Sequence, residues 1–157
     1  MATYQNLNQF KPTPLLGMLS FVTNPNVKSV KIDPASTATK LQAGTPVKLV
    51  DKTSSEVLVD ACSGATDPVY GVIVFNAKKG SYAAGQTVEI ACKGSVIFLE
   101  SSAAIARGAR VSSAVTPTAP TVVTNTTSTN ARVGQCLDKC AAANVLVRIE
   151  VDPDIVP

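Results

Sequence analysis

The chain has 157 residues, 45% of them hydrophobic but only 4% aromatic and 16% charged, with a formal net charge of +3. Such a length and apolar content support one domain whose core is Val, Ile, Leu and Ala. The absence of histidine excludes a Ser-His-Asp triad. No run approaches the roughly 18 apolar residues of a membrane span, and no basic cluster offers a nucleic-acid footprint.

The formal charge excess sits at the start. Residues 1–32 carry Lys11, Lys28 and Lys31 and no acid, whereas the remaining basic and acidic residues balance. Residues 1–34 also hold Pro12, Pro14, Pro25 and Pro34, together with Tyr4, Phe10 and Phe21 and an apolar patch of Leu15, Leu16, Met18 and Leu19 around Gly17. Proline removes backbone donors and favours extended backbone. This composition predicts an extended N-terminal arm over 1–34. The arm either packs on its own domain or reaches a neighbouring subunit, where strand addition would suit it. Tyr4, Phe10, Lys11, Leu15, Leu16, Met18 and Phe21 are its candidate contact residues. The start MATYQNLNQF lacks the charged and apolar regions of a signal peptide, so synthesis in a cytoplasm is expected.

From Leu41 a motif recurs in which a Gly-containing turn leads into an alternating strand. It reads LQAGTPVKLV at 41–50 and YAAGQTVEIA at 82–91, with weaker echoes IARGARVSS at 105–113 and ARVGQCLD at 131–138. Val47 and Leu49, and Val88 and Ile90, fall at period two with Lys48 and Glu89 between them, as in a half-buried strand. Further strands are predicted at 56–60, 69–75, 95–99 and 145–151, the last placing Val145, Val147, Ile149 and Val151 on one face. Asp67-Pro68 and Lys79-Gly80 fit turns. One short helix is expected over 101–107, capped by Ser101 or Ser102. Residues 112–131 carry no charge and read as a long loop, or as a loop carrying a short strand at 121–124. Short strands and tight turns predict an all-β chain, a small compact β-barrel or sandwich over 35–157 with the arm preceding it.

Little chemistry is encoded. The carboxylates Asp51, Asp60, Asp67, Glu89, Glu100 and Asp138 show no motif spacing, and Lys78-Lys79-Gly80 lacks the glycine and Ser/Thr of a phosphate loop. Cys62 and Cys92 sit near apolar positions, as buried free thiols do, while Cys136 and Cys140 form a C-x3-C pair; all four read as free thiols. A zinc site would need all four drawn together. The expectation is no enzyme, no cofactor and no metal.

Four segments carry a resemblance: AGTPVKLV (43–50), YGVIVFNAKKGSYAAGQTVEIACKGSVIFLE (70–100), SAAIARGARV (102–111) and VGQCLDKCAAANVLVRIEV (133–151). Their order is a Gly-led strand, a GV strand, an AG strand, a G-x-V strand, an A-I-x-x-G turn and a closing V-R-I-x-V strand. It resembles the capsid decoration, or cement, proteins of tailed bacteriophages. The resemblance implies a β-barrel on the exterior of the phage head, made in the host bacterial cytoplasm. Such a barrel would bind the major capsid protein and copies of itself, as a homotrimer, to hold the shell against internal DNA pressure. It supplies no catalytic residues. The alternative is a virion-surface binding module, either a fibre or a carbohydrate-binding domain. Stacking on sugars needs aromatics, and outside the arm only Tyr70, Phe75, Tyr82 and Phe98 are available.

Overall fold

The computed structural model describes residues 14–20, 25–38, 41–50, 55–113, 121–124 and 130–153, and among these described residues there are ten strands and no helix. β1 (Val27–Ile32), β2 (Pro46–Leu49), β3 (Leu58–Ala61), β4 (Gly71–Ile73) and β5 (Thr87–Ala91) close into one barrel in the order β1-β3-β2-β4-β5. β6 (Val96–Ser101), β7 (Arg110–Ser113), β8 (Thr121–Thr124), β9 (Arg132–Cys136) and β10 (Leu146–Val151) close a second in the order β10-β6-β8-β7-β9. The all-β reading holds, but the expected single barrel is two.

The strands follow from period-two patterning. In β5, Val88 and Ile90 are buried while Thr87 and Glu89 are exposed. In β10, Val147, Ile149 and Val151 are buried, and Val145 ahead of the strand is 40% exposed. The first barrel is filled by a cluster that includes Val30, Ile32, Leu41, Val47, Ile73 and Ile90. The second is filled around Ile97, Leu99, Ile105, Val111, Val147 and Ile149. Val72 and Ala91 of the first barrel's strands, with Cys62, Val69 and Val74 from the connections beside β3 and β4, join the second cluster. β4 is therefore buried on both faces, with Ile73 inside its own barrel and Val72 against the other.

The two barrels are one motif used twice. β1 pairs parallel with β3, as β6 does with β8, and every other pairing in both barrels is antiparallel. Registers match residue for residue: Ile32↔Val59 answers Ser101↔Val122, Val47↔Gly71 answers Val111↔Gly134, and Ile73↔Ile90 answers Cys136↔Ile149. The turn before β2 has Gly44 at φ 84 and the turn before β7 has Gly108 at φ 82, each amide donating across the barrel, to Ile73 O and Cys136 O. The turn before β5 has Gly85, and the turn before β10 has Asn144, the non-glycine residue at positive φ among those described.

Gly71 and Gly134 hold equivalent strand positions because the neighbouring strand passes too close for a side chain. A Cβ on Gly134 would overlap the Glu150 carbonyl oxygen, and one on Gly71 would lie 2.9 Å from that of Ala91. The ARVGQCLD segment is thus a strand with an interior glycine, not a Gly-led turn.

Two further expectations are corrected. No helix forms at 101–107, because the barrel takes the backbone donors that a helix would need. Ser101 closes β6, Ile105 and Cys140 exchange amide hydrogen bonds at 3.1 and 3.0 Å, and Gly108 donates to Cys136 O at 2.7 Å. The arm boundary at 34 also shifts: Val27–Ile32, placed in the arm by its prolines and lysines, is β1, with Val30 and Ile32 buried inside the first barrel.

Candidate functional site

Residues 14–20 lie at the junction of the two barrels. A turn comes first, with Met18 N–H donating to Leu15 O at 2.9 Å and Gly17 at φ 73. The chain then runs antiparallel to β6. Gly17 N–H donates to Phe98 O (2.7 Å), Phe98 N–H to Met18 O (2.9 Å) and Ser20 N–H to Val96 O (2.8 Å), and Leu19 bridges Ile97. Gly17 O accepts from Phe75 N–H, just past β4, at 2.8 Å. One residue therefore hydrogen-bonds to both barrels. Only glycine fits there, because the left-handed φ disfavours a side chain and a Cβ would meet Ala43 Cβ at 2.7 Å and Gly44 N at 2.8 Å.

This path divides the apolar patch seen in the sequence. Leu16 and Leu19 are half-buried against the core of the second barrel. Met18 is half-buried, while Leu15 is 46% exposed beside Phe75, itself 38% exposed. Leu15, Leu16, Gln42, Ala43, Phe75, Lys79 and Gly80 line an open, mainly apolar groove of about 270 Å3. Lys79, one of these lining residues, sits 5.4 Å from the ring centroid of Tyr82. Of the candidate arm residues, Leu15, Leu16 and Met18 are placed at this junction. Tyr4, Phe10, Lys11 and Phe21 lie outside the described residues. Sequence reasoning missed the groove because its far wall comes from a turn (42–43) and a hairpin (75–80) that read only as connections.

The ionisable groups brace loops. Asp67 takes hydrogen bonds from Lys48 Nζ at 3.0 Å and from the Ser63 and Gly64 amides at 2.7 and 2.9 Å. Burial pushes its carboxyl up, but these donors outweigh burial and hold it at about 2. Arg148 clamps Asp138 through Nη2 at 2.6 Å and Nε at 3.1 Å, which lowers the Asp138 carboxyl. All four cysteines are free and buried, and burial pushes the Cys62 thiol up to about 12. Among the described residues no group of three or more Cys, Asp or Glu side chains is placed to hold a metal ion.

Two fused β-barrels with an apolar groove at their junction, and side chains spent on bracing, define a structural module that presents surface. The family comparison gives that class a place: residues 5–152 match the model of the structural cement protein family typified by E217 gp24 and Pam3 gp6. The chain belongs to this family and is a structural phage protein. No curated protein matches it. Among solved structures, the N base of head fiber gp8.5 of bacteriophage phi29 superposes with a TM-score of 0.54 at 9% identity, over 82% of this chain and 95% of that one. That likeness shows the shared fold.

Proposed function

We propose that the protein binds the outer surface of the phage head and cements its major capsid subunits against internal DNA pressure. The family match along nearly the whole chain carries this reading. The junction groove supports it: exposed Leu15 and Phe75 flank an apolar recess. Tyr4, Phe10 and Lys11 would extend the contact along the shell. A few apolar anchors per copy suffice, because a lattice repeats each weak contact many times. Copies of the chain would contact one another as trimers on the shell, and light scattering of the free protein tests for a preformed trimer. The principal experiment adds purified protein to heads lacking it and follows DNA release on heating. Release at a higher temperature supports cementing; an unchanged release temperature with full binding refutes it. The fold shared with a head-fiber base favours a second reading, an attachment base for a projecting structure. Image reconstruction of the particle separates the two by whether density continues outward from the barrels.

A further inference from the structure

The internal duplication exposes a difference between the barrels. In a parallel β1/β3 arrangement only the end of β1 is covered: β3 pairs with Lys31 and Ile32, as β8 pairs with Glu100 and Ser101. The first half of β6 is covered by residues 17–20, through Phe98 and Val96. Matching registers against β5 and β10 put Ser29 where Phe98 stands, Val27 where Val96 stands and Lys28 where Ile97 stands.

Backbone groups on an antiparallel strand alternate sides. Asn26 O accepts from Cys92 N, so residues 26, 28 and 30 turn toward β5. Lys31 N–H points to Val57 O on the β3 side, so Val27 and Ser29 present their N–H and C=O groups on that side too. No hydrogen bond among the described residues uses them, and residues 27–29 are exposed. Among the described residues, this is the edge that the second barrel fills and the first leaves open.

The side chains indicate what would fill it. On the covered edge, Leu19 lies beside fully buried Ile97, an apolar pair. On the open edge the corresponding residue is Lys28, whose Nζ donates to Tyr70 Oη at 3.2 Å and lies 5.3 Å from the ring centroid. Neighbouring Lys31 is paired with Glu56 at 3.3 Å. A strand added here sets one side chain against an ammonium and a phenol hydroxyl, and a carboxylate suits both. A second copy added antiparallel about Lys28 would instead set Lys28 against Lys28, which disfavours self-pairing.

We propose that the edge at residues 27–29 of the first barrel is a strand-addition seat for an extended segment of the major capsid protein, with an Asp or Glu of that segment opposite Lys28. This rests on the cement reading. The test uses full-length protein and purified heads lacking it, with wild-type binding measured first. Ser29→Pro deletes a donor on the open side only, a substitution sheet edges tolerate. Lys28→Glu reverses the charge, and Lys28→Arg keeps it. We expect Ser29→Pro and Lys28→Glu each to weaken binding by about tenfold or more, the loss of one or two main-chain or charge-assisted hydrogen bonds. Lys28→Arg should bind as wild type. Hydrogen exchange should show the Ser29 amide fast in free protein and slow on heads. Should Ser29→Pro fail to fold, Lys28→Glu and the exchange data decide. Wild-type binding with Lys28→Glu undiminished and Ser29 unprotected overturns the seat and leaves the cement reading standing. Failure of the wild type to bind removes both.

Discussion

Leu15 and Leu16 are adjacent in sequence, yet the structure assigns them opposite work, which permits a sharp test. Leu16 lies against the second-barrel core beside Gly44. Truncating a half-buried leucine of this kind costs about 2 kcal/mol, the low end for leucine-to-alanine changes. In a domain of this size that lowers the melting temperature by about 4–8 °C. Leu15 is 46% exposed, so Leu15→Ala should leave the melting temperature within about 1–2 °C, the surface-substitution range. On a shell, however, the exposed half of Leu15 would be buried, worth about 1 kcal/mol per copy, or roughly fivefold in affinity per site. The assays are differential scanning calorimetry of the free variants and titration onto heads lacking the protein. If Leu15→Ala binds as wild type while Leu16→Ala melts as wild type, the division of the junction into a core side and an outward side is wrong.

Other changes probe the frame that holds this junction. Gly134→Ala forces a Cβ into the Glu150 carbonyl and should cost about 3 kcal/mol or prevent folding, whereas Gly80→Ala, with nothing within 4 Å, should melt within about 2 °C of wild type. Asp67 has a folded-state pKa lowered from 3.8 to about 2. A depressed carboxylate contributes stability that is present above its unfolded pKa and lost as pH falls through the folded one. Its contribution of about 1–2 kcal/mol, discounted for partial exposure, should therefore fade between pH 4 and 2. Asp67→Asn should be less stable than wild type at pH 7 and show a flatter denaturation profile across that window; matching profiles refute the brace. Cys62, pushed up to about 12 by burial, should resist alkylation at pH 8 in folded protein and react at once in denaturant.

The legible parts of the fold were those where alternation is undisturbed. Of the two readings of the uncharged loop, the one with a strand at 121–124 matches β8, since paired valines between threonines suit a pleated surface whatever surrounds them. β1 was hidden because Lys28, Ser29 and Lys31 interrupt its apolar series, and only Val30 and Ile32 reach the interior. The helix expected at 101–107 rested on local preference, Ser before an Ala-rich run, and tertiary hydrogen bonds at Ile105 and Gly108 override it. Two of the echoed motifs, LQAG and IARG, are equivalent turns. The duplication stayed unreadable because its offset slides, from 69 residues at Ile32 and Ser101 to 59 at Ile90 and Ile149, and because Asn144 replaces the glycine of YAAG. The site was half legible: composition marks residues 14–20 as apolar, but only the register on β6 decides which leucine turns outward.

Duplicating a closed barrel also duplicates its weak point, the uncovered half of the strand that pairs in parallel. Open edges invite pairing, and lysine on an edge is a recurrent guard against it. Ile97 and Lys28 occupy equivalent positions, so the second barrel has an apolar edge sealed by residues 17–20, while the first has a charged edge that no described segment covers. If the lysine is the guard, Lys28→Ile should remove it and make the first edge resemble the one that accepts Leu16, Met18 and Leu19. Such an edge would bind the corresponding segment of another molecule, and the variant should associate in a concentration-dependent way by light scattering, beyond whatever assembly the wild type shows. Lys28→Gln, which keeps polarity without charge, should associate less than Lys28→Ile. An Ile variant with wild-type mass across the same concentrations would mean that this edge is protected by something other than Lys28, and the equivalence drawn between the two barrels would lose its energetic meaning.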